Sequence, residues 1–251
     1  MTRLDGTRVL VTGATSGLGL AMARALSAAG ARVAVTSRDP GGAERVAAEL
    51  GDTALPVELD VRDESSVATA VQRTLTGLGG IDMLVNNAGI GMRTVNPRFM
   101  SDPQPFWEVP PAGFHDVLAT KATGAFLMAR AVAPLMLERG AGRIVNISMN
   151  EQTMVRRGFV PYGPAGAAVE ALSRVMAADL ADSPVRVNLL LPGGATNTGM
   201  IPDDMPDEVR SGLLDPAIMG PPVVWLASDE AADVHDQRIV ATEFEGWLAA
   251  R

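Results

Sequence analysis

Seven short runs of nearly unbroken apolar residues limit what this 251-residue chain can fold into more than any other feature. They read TRVLVTG, ARVAVTSR, ALPVELDV, IDMLVNNAG, GRIVNIS, VRVNLLLPG and QRIVATEF. A strand covered on one face alternates apolar and polar residues, whereas an unbroken run suits a strand buried on both faces. Between the runs, Leu18, Met22, Ala25, Leu26 and Ala29 recur at helical spacing, as do Val67, Ala70, Val71, Leu75 and Leu78. Strand and helix therefore alternate. The chain is predicted to form a single α/β domain, residues 1–251, built on a doubly wound, seven-stranded parallel sheet with helices on both faces. Two irregular insertions, near 90–111 and 193–215, follow C-terminal strand ends, where ligands bind in such sheets.

The first run leads into TGATSGLG, residues 12–19, and then into the first helix. Gly13, Gly17 and Gly19 permit a tight turn and a close backbone approach. That arrangement sets a pyrophosphate over the free N–H groups of the helix start. A dinucleotide site of Rossmann type is the expectation. Other chemistries are disfavoured by composition. A net charge of −8 and an isoelectric point of about 4.8 oppose nucleic acid and anionic lipid. No run approaches the ~18 apolar residues of a membrane span, so a soluble, cytoplasmic protein is expected. With no cysteine and two histidines far apart, no metal site is expected.

With that glycine spacing, NNAG at 86–89, GRIVNIS at 142–148, Tyr162 and RVNLLLPGG at 186–194 fall in one order along the chain. In this the chain resembles the short-chain dehydrogenase/reductase family over essentially its whole length. The resemblance implies that Gly13, Ser16, Gly17 and Leu18 line the pyrophosphate. It places Asp60 and Val61 at the adenine, Asn86, Ala88 and Gly89 on the adenosine side, and Pro192, Gly193 and Thr196 at the nicotinamide. It also implies a homo-oligomer, dimer or tetramer, formed through long helices, and a small-molecule substrate. The second strand ends VTSRD, and an arginine there suits a 2′-phosphate, so Arg38 points to NADP (NADPH) as cofactor.

The reactive centre departs from the family pattern of Ser, Tyr, a Lys four residues after the Tyr, and an Asn on the preceding helix. Tyr162, the only tyrosine, is present. The serine position holds Met149, with Ser148 one residue earlier on the opposite face of the strand; the lysine position holds Gly166. The asparagine position holds Lys121, the only lysine beside 20 arginines (21 basic residues less one). Tyrosine titrates near ~10 when unperturbed, and a glycine neither lowers that value nor holds a ribose. Lys121, reaching into the space above Gly166, is the candidate replacement.

Three functions follow. The first is NADPH-dependent reduction of a carbonyl, enone or imine of a small apolar substrate, with Tyr162 as proton donor, Lys121 as its partner and Ser148 nearby. The second is a non-redox enzyme on the same scaffold: an isomerase, a cyclase, or a lyase in which Lys121 forms a Schiff base. The third is a nucleotide-binding protein without catalysis. Phe99, Phe106, Trp107, Met154, Met200 and Ile201 are expected to form an adaptable apolar pocket.

Overall fold

The structure is a computed structural model and describes residues 2–251. Its sheet has the order β3-β2-β1-β4-β5-β6-β7, every pair parallel. The strands are β1 (Arg8–Val11), β2 (Arg32–Ser37), β3 (Ala54–Glu58), β4 (Met83–Asn86), β5 (Gly142–Ile147), β6 (Val185–Leu191) and β7 (Arg238–Val240). The helices are α1 (Gly17–Ala28), α2 (Pro40–Leu50), α3 (Glu64–Leu78), α4 (Pro111–Leu118), α5 (Gly124–Arg139), α6 (Glu151–Met154), α7 (Tyr162–Asp179), α8 (Asp207–Arg210), α9 (Gly220–Ala227) and α10 (Phe244–Ala249). The last run is a shorter strand than QRIVATEF suggests. Ala241–Glu243 already turn as a 3-10 helix, and Phe244 starts α10, where it packs on Trp225.

Alternation within each buried strand sorts side chains onto two cores. Val9, Val11, Val33, Val35, Met83 and Val85 join α1 and α9 on one face. Leu10, Ala34, Leu84 and Ile144 join α3 and α5 on the other. Helix ends follow local chemistry. Asp63 caps α3 by accepting from the backbone N–H groups of Ser65 and Ser66, and the helix stops at Gly79, φ 81°.

Between α4 and α5 the chain does not break. Residues Ala119–Thr123 form a π-helical turn that joins the two helices. Such a turn inserts one residue into the helical ladder and re-aims the side chains it carries. Lys121 is at its centre.

Candidate active site

At the dinucleotide end, Gly13 (φ 64°) and Gly17 (φ 52°) adopt left-handed angles. Packing fixes a third glycine: a Cβ on Gly19 would overlap the Gly13 carbonyl oxygen and the Asn87 side-chain amide. Thr12 Oγ1 accepts from the backbone N–H groups of Asn87 and Ala88, and Asn87 Nδ2 donates to the carbonyls of Thr12 and Gly13. The loops after β1 and β4 are thereby locked together. Asn87, within NNAG, was not singled out in the sequence reading. Ser16 occupies the N-cap of α1 without a side-chain cap bond, which leaves that helix start open for an anion beside Leu18.

Arg38 is exposed beyond β2 and makes no hydrogen bond or ion pair among the described residues. The adjacent Asp39 carboxylate turns instead toward Gly42 and Arg45. Together the open helix start and the glycine cradle fit a dinucleotide. Asp60 is bidentate with Arg62, at 3.0 and 2.7 Å, which holds its carboxyl below the usual range. Val61 packs against the start of α5 at Gly124.

The loop after β6, which the resemblance places at the nicotinamide, is held by local bonds. Gly193 has φ 97°, and its carbonyl accepts from Asn150 Nδ2. The Pro192 carbonyl accepts from Thr242 N, and buried Thr196 bonds the Gly194 carbonyl. Thr198 lies over Gly17, closing this loop onto the glycine turn.

The Asn86 side chain points into the sheet, donating to Asn146 Oδ1 at 2.8 Å and to the Ala125 carbonyl at 3.3 Å. Ala88 and Gly89 remain on the cleft wall, and the Lys121 stem runs along Gly89.

At the reactive corner the structure brings Tyr162 and Lys121 together. The Lys121 ammonium stands 5.0 Å from the centre of the Tyr162 ring, over its face, within cation–π range. Lys121 is only 8% exposed and has no hydrogen bond or ion pair among the described residues. Burial lowers its ammonium to about 8, and burial raises the Tyr162 phenol. The expected depression of the phenol is thus reversed in direction: Tyr162 is a neutral donor through the physiological range. Its hydroxyl meets Met200 Sδ at 3.8 Å.

Two other expectations fail here for steric reasons. The space beside Gly166 is not the ammonium's seat: a Cβ on Gly166 would lie 2.6 Å from Met149 Cε and 2.9 Å from its Sδ. The thioether occupies that volume. Ser148 does not join Tyr162 either; its Oγ donates to Glu170 Oε1 at 2.6 Å, and Glu170 also accepts from Arg238. Met149 and Ser148 both meet α7, at Gly166 and at Glu170 one turn further on, instead of facing opposite ways.

The insertions close over this corner. Arg93 donates to the carbonyls of Gly199 and Ile201 and pairs with Asp203 at 2.5 Å, clasping residues 199–203 to the first insertion. Nothing in the sequence marked Arg93 for this. Phe99 packs with Phe159 and Met92 next to Tyr162, as an apolar pocket requires. Phe106 and Trp107 do not line it: they meet edge to face, 68% and 71% exposed. His115 is exposed. His235 is a half-buried pin, its Nδ1 accepting from Val187 N and its Nε2 lying 2.9 Å from the Ala177 carbonyl.

Comparison with known proteins agrees with this geometry. The sequence matches the family model described as short chain dehydrogenase over residues 7–208. It is 34% identical over 236 residues to a 3-oxoacyl-(acyl-carrier-protein) reductase of Vibrio harveyi, covering 91% of this chain and 93% of that protein. It is 34% identical over 249 residues to D-threitol dehydrogenase of Mycolicibacterium smegmatis, covering 95% and 92%. Among solved structures, the 3-ketoacyl-(acyl-carrier-protein) reductase of Brucella melitensis complexed with NADH superposes with a TM-score of 0.84. That match has 32% identity and covers 94% of this chain and 97% of that one. On sequence and on fold alike, the chain belongs to the short chain dehydrogenase family.

Proposed function

We propose that this protein is an NADP(H)-dependent reductase of a small, largely apolar carbonyl, enone or imine, in which Lys121 acts where the family pattern has a lysine after the tyrosine. The observation that carries the reading is the placement of the only lysine over the ring of the only tyrosine in a largely apolar corner. Gly13, Ser16, Gly17, Leu18 and Gly19 would hold the pyrophosphate and Arg38 the 2′-phosphate. Asp60 and Val61 would border the adenine, and Gly193 and Thr196 the nicotinamide. A bound NADPH supplies hydride. Tyr162 holds the proton at its Oη, beside the carbonyl oxygen that displaces Met200, and gives it up as negative charge grows there. The Lys121 ammonium, largely shielded from bulk water, stabilises the phenolate left behind. Met92, Phe99, Phe159 and Met200 exclude water.

Lys121 also supports a second reading. Burial brings its amine within reach of neutrality, as Schiff-base chemistry requires. Apolar residues exposed on α5 and α7, Phe126, Leu137 and Val175, support a homo-oligomer formed through those helices. No helix among the described residues is long and apolar enough to cross a membrane.

The test combines calorimetry with a panel of ketones, enones and imines. NADP is expected to bind at least about tenfold more tightly than NAD, since a bond to a charged group contributes on the order of 1.5–3 kcal/mol, and Arg38→Ala should erase the difference. NADPH oxidation with a panel member supports the reductase. Equal binding of NAD removes the cofactor assignment. Borohydride trapping of a substrate on Lys121, without NADPH oxidation, moves the function to the second reading.

A further inference from the structure

Beneath the Tyr162 corner lies a small cavity of about 10 Å³, about the space one water needs. Lys121, Asn86, Thr12 and Thr120 supply its polar wall. The two threonine hydroxyls are committed: Thr12 Oγ1 donates to the Val85 carbonyl, and Thr120 Oγ1 to the Asp116 carbonyl. Two groups are not. Lys121 Nζ has no partner, and Asn86 Oδ1 is a buried acceptor with no partner among the described residues.

The orientation of that amide is fixed by a chain of bonds. Ser173 Oγ donates to the Val169 carbonyl, so it must accept from Asn146 Nδ2, at 2.7 Å. Asn146 therefore presents Oδ1 to Asn86, which answers with Nδ2 at 2.8 Å and shares it with the Ala125 carbonyl. Turning Asn86 over would set its oxygen against two acceptors. Its Oδ1 is left aimed away from both, in the residue that shares the cavity wall with the unpartnered ammonium. A buried acceptor without a bond is destabilising, and so is a largely buried ammonium without one, so a link between them relieves both.

We infer that Asn86 is a positioning residue for Lys121: its Oδ1, through one bridging water in this cavity, holds the ammonium over the Tyr162 ring. The anchoring line runs from Val169 and Ser173 through Asn146 and Asn86 to Lys121, tying the π-helical turn to the middle of the sheet. Tyr162 is the titratable side chain placed against the ammonium; the other walls, from Thr12, Val61, Ala88, Thr120, Ile147 and Val169, carry no charge. The consequence of this link for catalysis rests on the reductase reading; the link itself does not.

The single lysine makes the test direct. Protein labelled with ¹³C,¹⁵N-lysine gives one side-chain signal, whose titration is read by NMR without turnover. Asn86→Asp should raise the Lys121 midpoint by about one unit or more, and Asn86→Val should lower it by about one unit. Midpoints unchanged in both folded variants overturn the inference. If neither variant folds, a high-resolution crystal structure of the unaltered protein decides. A water joining Asn86 Oδ1 to Lys121 Nζ supports the link, and a dry cavity with the ammonium turned elsewhere overturns it. Shifted midpoints in a protein that oxidises NADPH with no carbonyl keep the positioning and remove the reductase. Unshifted midpoints in an active enzyme do the reverse.

Discussion

At the dinucleotide end, each unusual backbone angle falls on a glycine, each close approach is made by a residue without a Cβ, and Thr12 and Asn87 brace the turn from β4. At the Tyr162 end the chemistry has not been kept in the same way but rearranged: a thioether fills the room beside Gly166, a serine serves a glutamate, and an ammonium arrives from the π-helical turn. The contrast teaches that cradling a pyrophosphate depends on backbone shape, which few sequences satisfy, whereas placing a cation beside a phenol depends on where one long side chain ends. The second requirement can be met from more than one backbone position.

The first end should therefore be intolerant of change. Gly19→Ala drives a Cβ into the Gly13 carbonyl and the Asn87 amide, neither of which is a flexible side-chain tip. It is expected to cost about 3 kcal/mol or more in urea denaturation and to weaken NADP binding about 100-fold. A Gly19→Ala protein of unaltered stability and affinity would erase the contrast from that side.

The second end should tolerate a coordinated exchange. Gly166→Lys alone meets Met149 Cε and is expected to cost about 1–3 kcal/mol, while Met149→Ser alone opens a cavity at a similar cost. Together they should cost less than the sum by about 1–2 kcal/mol, because each change makes room for or fills the other. Carbonyl reduction should rise in the double variant. Strict additivity in the double-mutant cycle would show that Met149 and Gly166 are not a matched pair.

The legible and illegible parts of the sequence divide along the same line. Unbroken apolar runs report burial on both faces, and left-handed turns need glycine, so the seven parallel strands and the glycine-rich turn after β1 follow from residue type and spacing. Side-chain direction at the corner does not. Whether Met149 or Lys121 would enter the volume beside Gly166 depended on the π-helical turn, which no propensity marks, and Asn86 carried no sign that its amide would turn into the sheet. Arg93 was unreadable for a different reason: its partners are backbone carbonyls more than 100 residues away. Phe106 and Trp107 look like pocket residues in composition alone, since a 3-10 turn at Phe106–Glu108 decides that they face outward.

The central claim is that the charge on Lys121 serves Tyr162. As pH rises through about 8 the ammonium becomes an amine, while the phenol, raised by burial, keeps its proton. Reduction needs both the proton on Tyr162 and the charge on Lys121, so its rate falls first on the Lys121 titration, at a pH where Tyr162 still holds its proton. The measurement is the pH profile of single-turnover NADPH oxidation, with the most reactive carbonyl of the panel, for the unaltered enzyme and Lys121→Ala. The account predicts a fall of about tenfold from neutral pH to the high-pH plateau in the unaltered enzyme, and in Lys121→Ala a rate already at that plateau with no such limb. A Lys121→Ala enzyme with the same rate and the same profile as the unaltered one would contradict it.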